Sequence, residues 1–153
     1  MVEFVDYRCT FCRQQADSLA DLLASNGGAV RFVVKQVPLD KKHPGARRAA
    51  RAAVCAEAQG KLEPMHEGLM RASDTADRTI LDLAQEVGLG LEDFKACLAS
   101  SSTDDRIQAD MDAFESAGGE GLPMLFIGKK KFVGLTDPAE LEKAMKEALD
   151  TLP

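Results

Sequence analysis

The length, composition and charge of the chain are those of a globular domain and exclude several classes of protein. The chain has 153 residues, of which 45% are hydrophobic and 29% charged, which suits one domain or one domain with an insertion and argues against extensive disorder. The net charge of −6 argues against nucleic acid as a partner, because an acidic surface repels phosphate backbones. No apolar run approaches the ~18 residues of a membrane span.

The first residues carry no signal peptide and begin directly in an apolar segment, residues 2–5. We therefore expect a trimmed start with an added Met1, and a signal or anchor segment that is not present in this chain. The lack of a signal here does not indicate the compartment.

The first third of the sequence has a strand–helix–strand pattern. Residues 2–7 are rich in Val, Phe and Tyr and predict a short buried strand. A helix then extends to about Ser25, with an apolar stripe at i, i+3, i+4 and i+7, and the glycines at 27 and 28 end it. Residues 29–37 are dense in β-branched side chains and predict a second strand, parallel to the first because a helix connects the two.

Helices dominate the middle of the chain. Apolar residues at helical spacing predict five of them between Pro38 and Gly121, with Pro44 near the start of the first. No strand pattern occurs in this stretch.

Strands return near the end. Residues 124–127 and 131–133 predict two strands joined by a tight turn at 128–130, and hence an antiparallel hairpin. Asp137, Pro138 and Glu140 have the spacing of a capping box at the start of a last helix. The order βαβ, helices, ββα predicts an α/β fold with a small mixed sheet and an α-helical insertion.

The pair Cys9 and Cys12 lies where the first strand gives way to the first helix. A structural zinc site needs a second pair of ligands at short spacing, and Cys55, Cys97 and the two histidines do not provide one. The first turn of a helix has unpaired N–H groups and a positive dipole end, which stabilise a thiolate. We therefore expect Cys9 to be the exposed, reactive thiolate and Cys12 the buried resolving partner in thiol–disulfide exchange.

The segments EFVDYRCTFC (3–12) and GLPMLFIG (121–128), together with the helical insertion, resemble the DsbA-like family of the thioredoxin superfamily over essentially the whole chain. The resemblance implies a thioredoxin-like domain formed by residues 1–40 and 118–153, with an inserted helical subdomain at 41–117. It also implies an extracytoplasmic location such as the bacterial periplasm or cell envelope. The resemblance implies two kinds of partner: protein substrates with cysteine thiols, and a membrane redox partner that reoxidises or reduces the pair. It implies no cofactor.

The same resemblance assigns roles to further residues. Pro123 is expected to follow a cis peptide bond and to face the cysteine pair, where the backbone of Leu122 would bind an extended substrate. Glu3 stands where thioredoxin-like proteins often keep a buried acid that carries the Cys12 proton, and we expect Lys35 on the adjacent strand to be its partner.

Relatives with cysteines at the positions of Cys55 and Cys97 suggest a structural disulfide there; two free core thiols are the alternative. Thr10 and Phe11 occupy the dipeptide that tunes the pair and contacts substrates in this family. This dipeptide is neither the Gly-Pro of thioredoxin nor the Pro-His of the founding DsbA, so the direction of exchange stays open.

The leading interpretation is thus a DsbA-like oxidase acting on proteins. A disulfide reductase or isomerase is the alternative within the same chemistry. A metal-binding module, in particular for copper, and a glutathione-transferring relative are the alternatives outside it; the intact Cys-x-x-Cys argues against the last. His66 is expected to be a packed or hydrogen-bonded core histidine, and His43 to lie in a loop at the entry of a helix.

Overall fold

A computed structural model describes residues 1–152 and contains one mixed sheet with the strand order β2-β1-β3-β4. The strands are β1 (Val2–Val5), β2 (Val33–Gln36), β3 (Met124–Ile127) and β4 (Lys130–Val133). The helices are α1 (Thr10–Asn26), α2 (Ala46–Ala58), α3 (Leu62–Arg71), α4 (Asp77–Glu86), α5 (Leu91–Leu98), α6 (Ser101–Ser116) and α7 (Pro138–Asp150). The predicted order of βαβ, five helices and ββα is confirmed.

The strands pair as the connections predict. β1 runs parallel to β2 and antiparallel to β3, and β3 and β4 form a hairpin. The hairpin turn is tighter than expected, because Ile127 pairs with Lys130 and only Gly128 and Lys129 lie between the strands. Gly128 has a φ of 58°, a left-handed conformation that glycine adopts without steric cost.

The first two strands are shorter than predicted. β1 ends at Val5 because residues 6–8 form a turn, in which the Cys9 N–H donates to the carbonyl of Asp6 at 3.1 Å. β2 begins only at Val33, since residues 27–29 form a 3₁₀ turn. The β-branched composition correctly predicts a strand in this region, but the length of the neighbouring strand β1 limits how many residues of β2 can pair.

Alternation along β1 divides its side chains between two layers. Phe4 points toward α6, where its ring centroid lies 5.6 Å from that of Phe114. Leu125, which pairs with Glu3 across the sheet, packs instead in the cluster formed by α1 and α7. Residues directly opposite each other project to the same face, so Glu3 lies on the α1 side of the sheet.

The helices between β2 and β3 pack around an alanine-rich face of α2. The alanines of this helix that are buried are Ala46, Ala49, Ala50, Ala52, Ala53 and Ala56. Small side chains allow neighbouring helices to approach α2 closely, and α3, α5 and α6 all contact it. A disulfide joins Cys55 of α2 to Cys97 of α5, 42 positions apart. The division into domains at 1–40, 41–117 and 118–153 stays a prediction.

The outer edge of β2 is protected by α6. The buried carboxylate of Asp110 accepts hydrogen bonds from the Gln36 backbone N–H at 3.0 Å and from Lys35 Nζ at 2.9 Å. A free N–H on an edge strand would otherwise be available for pairing with another chain. None of the helices found in residues 1–152 has the length and hydropathy that crossing a membrane requires.

Removal of the Cys55–Cys97 disulfide should cause a measurable loss of stability. Cys55→Ala with Cys97→Ala should lower the free energy of unfolding by about 2–4 kcal/mol, because the unfolded chain loses a cross-link. Urea unfolding of the oxidised proteins measures this difference. Alkylation of the denatured, unreduced wild type should leave Cys55 and Cys97 unmodified in mass spectra. Modification of both, with no change in stability, would instead indicate two free core thiols.

Candidate functional site

The two cysteines of the Cys-x-x-Cys motif lie at the start of α1. Cys9 is the N-cap residue, in an extended conformation, and Cys12 lies in the first turn. Both are free thiols; Cys12 is fully buried and Cys9 exposes 9% of its surface. The prediction that Cys12 is buried is confirmed, whereas the prediction that Cys9 is exposed is wrong, because Cys9 is also largely enclosed.

The surroundings of Cys9 favour its thiolate. A hydrogen bond from the Cys12 thiol, the largest contribution, and the backbone N–H groups of Cys12 and Phe11 together lower the Cys9 pKa from 9.0 to about 6, against the opposing effects of burial and of Asp6. The same hydrogen bond to Cys9, together with burial, raises the Cys12 pKa far above that of a free thiol. At neutral pH Cys9 is thus mostly thiolate and Cys12 mostly thiol.

Leu122 and Pro123 lie beside the reactive sulfur. The peptide bond between them is cis, and the Leu122 carbonyl oxygen lies 3.9 Å from Cys9 Sγ. The Gly134 N–H donates to the Pro123 carbonyl at 2.8 Å, which anchors this loop to the end of β4. The backbone of Leu122 is therefore held next to Cys9, while its side chain is buried.

Thr10 and Phe11 face the solvent. Phe11 exposes 53% of its surface. Both residues belong to the helical turn that carries Cys9 and Cys12.

Glu3 is fully buried, but Lys35 is not its partner. Lys35 pairs with Phe4 in the register of β1 and β2 and binds Asp110 at 2.9 Å, on the opposite face of the sheet from Glu3. The prediction of a Glu3–Lys35 pair is wrong because residues 3 and 35 do not share a face in this register. Burial raises the Glu3 pKa from 4.5 to about 8.

The polar group nearest to Glu3 comes from the helices between β2 and β3, α2 to α6, which we call the helical block. His66 of α3 places Nε2 3.4 Å from Glu3 Oε2, and its Nδ1 lies 3.0 Å from the hydroxyl of Tyr7. Burial lowers the His66 pKa to about 4, so at neutral pH both His66 and Glu3 are mostly uncharged and the contact is not an ion pair. The expectation that His66 is a hydrogen-bonded core residue is confirmed; its contact with Glu3 was not foreseen.

Asp6 is a further residue that sequence reasoning missed. Its buried carboxylate accepts hydrogen bonds from the N–H groups of Arg8 and Leu39, at 2.7 and 2.8 Å, and lies 2.8 Å from His43 Nδ1. These contacts hold the turn before Cys9 against the loop after β2. The signal was available, since an aspartate that bonds a backbone N–H two residues on is a common turn residue.

Two arginines connect the turn and α1 to the helical block. Arg13 donates to the carbonyls of Ala72 at 2.8 Å and Tyr7 at 3.4 Å, and Arg8 donates to the Ser73 carbonyl at 3.2 Å. The end of α3 and the cysteine-bearing turn therefore share hydrogen bonds.

The fold is similar to those of solved thiol–disulfide proteins. The thiol-disulfide exchange protein alpha-DsbA2 from Wolbachia pipientis superposes with a TM-score of 0.83 at 24% identity, covering 95% of this chain and 79% of that one. A thioredoxin-like oxidoreductase from Silicibacter pomeroyi also gives 0.83, at 29% identity and with 99% and 86% covered. A periplasmic thioredoxin-like protein from Salmonella enterica gives 0.77 at 24% identity, with 98% and 83% covered. The predicted thioredoxin-like fold is confirmed.

Sequence comparison finds relatives among much longer proteins. A Na⁺/H⁺ antiporter, NhaA 3 of Salinispora tropica, is 31% identical over 149 residues, which are 97% of this chain and 23% of that protein. The chain thus spans about a quarter of the length of the curated relatives it matches. A family described as Thioredoxin matches residues 1–147, so the chain belongs to the thioredoxin family.

Proposed function

We propose that the protein is a DsbA-like thiol oxidase that transfers the Cys9–Cys12 disulfide to cysteine pairs of other proteins. The observation that carries the proposal is the pairing of a stabilised Cys9 thiolate with a buried Cys12 thiol at the N-terminus of α1. A more stable thiolate is a better leaving group and makes the corresponding disulfide a stronger oxidant.

The exchange proceeds in two steps. A substrate thiolate attacks Cys9 Sγ of the disulfide and forms a mixed disulfide, and Cys12 leaves as a thiolate that takes up a proton. A second substrate thiolate then attacks the substrate's own sulfur in the mixed disulfide, so Cys9 leaves as a stabilised thiolate and the substrate is oxidised. Both electrons pass to the enzyme, which a further oxidant must regenerate.

Glu3 is proposed to exchange the Cys12 proton. It is buried on the α1 side of the sheet, and an ionised Glu3 would raise the Cys12 pKa, after the larger effects of Cys9 and burial. When the reaction runs toward release of the mixed disulfide, Cys12 gives its proton to the Glu3 carboxylate and attacks Cys9 as a thiolate.

Substrates are proposed to bind across Thr10, Phe11 and the Leu122 backbone. Backbone atoms beside the sulfur suit an extended peptide of any sequence, because hydrogen bonds to the main chain do not read side chains. The exposed Phe11 ring adds an apolar contact that is equally tolerant of sequence. Pro123 is proposed to keep this segment facing Cys9.

An extracytoplasmic location is proposed with this function. The Cys55–Cys97 disulfide is typical of oxidising compartments. The similar Salmonella protein is described as periplasmic. A membrane-bound redox partner that reoxidises Cys9 and Cys12 would complete the cycle. The antiporter relatives contain a segment similar to this chain, so a similar domain also occurs as part of longer proteins named as membrane transporters.

Substitution of each cysteine should separate the two steps. Cys9→Ser should abolish oxidation of a dithiol peptide because the attacked sulfur is gone. Cys12→Ser should lose turnover but accumulate mixed disulfides, which mass spectrometry of unreduced samples detects. Full peptide oxidation by Cys9→Ser would contradict the assignment of the site.

The pH dependence of Cys9 alkylation tests the cause of its reactivity. The iodoacetamide rate of the reduced protein should fall on acidification with a midpoint near pH 6, because the thiolate is the reactive form. Cys12→Ala should move that midpoint upward, since it removes the thiol hydrogen bond, the largest contribution. Cys12→Ser, which keeps an O–H donor, should move it less. A midpoint near 9 in the wild type would show no stabilised thiolate.

The reduction potential decides the direction of exchange. Equilibration with glutathione buffers should give a value well above the about −270 mV of thioredoxin, as expected for an oxidase. A value near that of thioredoxin would favour the alternative of a reductase.

A copper-binding module is the remaining alternative outside redox catalysis. Among residues 1–152, no group of three or more His, Cys, Asp and Glu side chains is arranged to hold a metal ion. Titration of wild type and Cys9→Ser with Cu(I) tests this alternative: tight stoichiometric binding without thiol exchange would favour it.

A further inference from the structure

The contacts of His66 connect two buried groups of the active-site region. Nε2 faces Glu3 and Nδ1 faces Tyr7, at 3.4 and 3.0 Å. Neither oxygen of Glu3 has a well-directed hydrogen bond, and His66 Nε2 is the nitrogen that lies within ion-pair distance. Phe32 packs edge-on against the imidazole with the ring centroids 5.7 Å apart, so the ring is fixed between strand, turn and helix.

A neutral imidazole in this position can match either state of Glu3. It carries one N–H group and one lone pair, and either nitrogen can hold the proton. When Glu3 is protonated, its O–H faces the lone pair of Nε2, and Nδ1–H donates to the Tyr7 oxygen. When Glu3 is ionised, Nε2–H faces the carboxylate, and Nδ1 accepts the Tyr7 O–H. In this exchange Glu3 loses one proton, while the imidazole and the phenol each keep theirs.

Resting on the proposed function, we propose that His66 is a positioning residue whose neutral ring changes tautomer with the ionisation of Glu3. In this way it sets the pH at which the buried carboxylate can take the Cys12 proton. Because burial disfavours an imidazolium ring, the tautomer change stabilises the carboxylate without placing a second charge in the core.

The ring also borders a space that Glu3 does not reach. His66 lines a cavity of about 400 Å³ between α1, α3 and the segment before β2, whereas Glu3 is fully buried. The cavity lies beside the ring, while the two ring nitrogens face Glu3 and Tyr7.

The other titratable groups around this network lie on three helices, α1, α2 and α3. Cys12 of α1 interacts with Glu3, and Glu57 of α2 acts on Tyr7. The charged residues that line the same cavity as His66 are Asp17 of α1 and Glu63, Glu67 and Arg71 of α3. The last four lie along the cavity, while Glu3 and Tyr7 are the groups in direct contact with the ring nitrogens.

Nuclear magnetic resonance tests the tautomer change directly. The reduced protein with ¹⁵N-labelled histidine has only two imidazoles, from His43 and His66, and His43→Gln assigns them. His66 should stay neutral while its proton moves from Nδ1 to Nε2, with a midpoint near pH 8 where Glu3 titrates. Glu3→Gln should abolish this transition. A ring that keeps one tautomer throughout, or that becomes a cation in this range, would overturn the proposal.

The kinetic test uses the two phases of the reaction with Ellman's reagent. Cys9 thiolate attacks first and releases one thionitrobenzoate; Cys12 thiolate then attacks Cys9 and releases the second. The second phase should accelerate with pH through a midpoint near 8 in the wild type. His66→Phe should move this midpoint upward by about one pH unit, because the carboxylate loses its donor. His66→Gln, which retains an N–H donor, should move it less.

Phe32→Leu is the matched control for packing, since it changes the contact with the same ring and removes no polar atom. It should leave the midpoint unchanged. A shift as large as that of His66→Phe, or an equal loss of rate by His66→Phe at every pH, would show a purely structural role. If the wild type forms no Cys9–Cys12 disulfide, the proposed function fails, while the tautomer measurement still decides the role of His66.

Discussion

The placement of the two cysteines together at the start of α1 controls the chemistry of the site. Each thiol acts on the other, so the pKa of Cys9 is lowered and that of Cys12 is raised, which gives one nucleophilic sulfur and one sulfur that keeps its proton. This placement depends on a helix that begins immediately after a buried strand, because only then do the N–H groups of Phe11 and Cys12 point at the Cys9 sulfur. The turn held by Asp6 and the arginine contacts keep that geometry in place.

The order of the elements and the cysteine pair could be predicted from the sequence, since both depend on local patterns. Apolar spacing identified the helices, and the position of Cys9 between strand and helix indicated its reactivity. The partner of Glu3 could not be found in this way. Alternation along β1 and β2 excludes Lys35 once the register is known, but no local pattern connects Glu3 with His66, which lies 63 positions away in a separate helix. The start of β2 also depended on its partner strand rather than on its own composition.

The helical block therefore contributes side chains and hydrogen-bond acceptors to the site. α3 provides His66, and the residues that follow it, Ala72 and Ser73, accept hydrogen bonds from the arginines beside the cysteine turn. The disulfide between α2 and α5 cross-links the same block. Substitutions in α3 can consequently change the surroundings of Glu3 while leaving the cysteine motif untouched.

The carboxylate of Asp110 affects how readily two molecules can associate through the edge of the sheet. Since it occupies the Gln36 N–H, the outer strand offers a neighbouring chain one fewer donor for intermolecular β-pairing. On the far edge, the lysines of β4 carry charge, which also disfavours pairing with another strand. The proposed exchange with other proteins would bring the molecule into contact with partially unfolded chains, and protected sheet edges reduce the risk that such encounters end in co-aggregation.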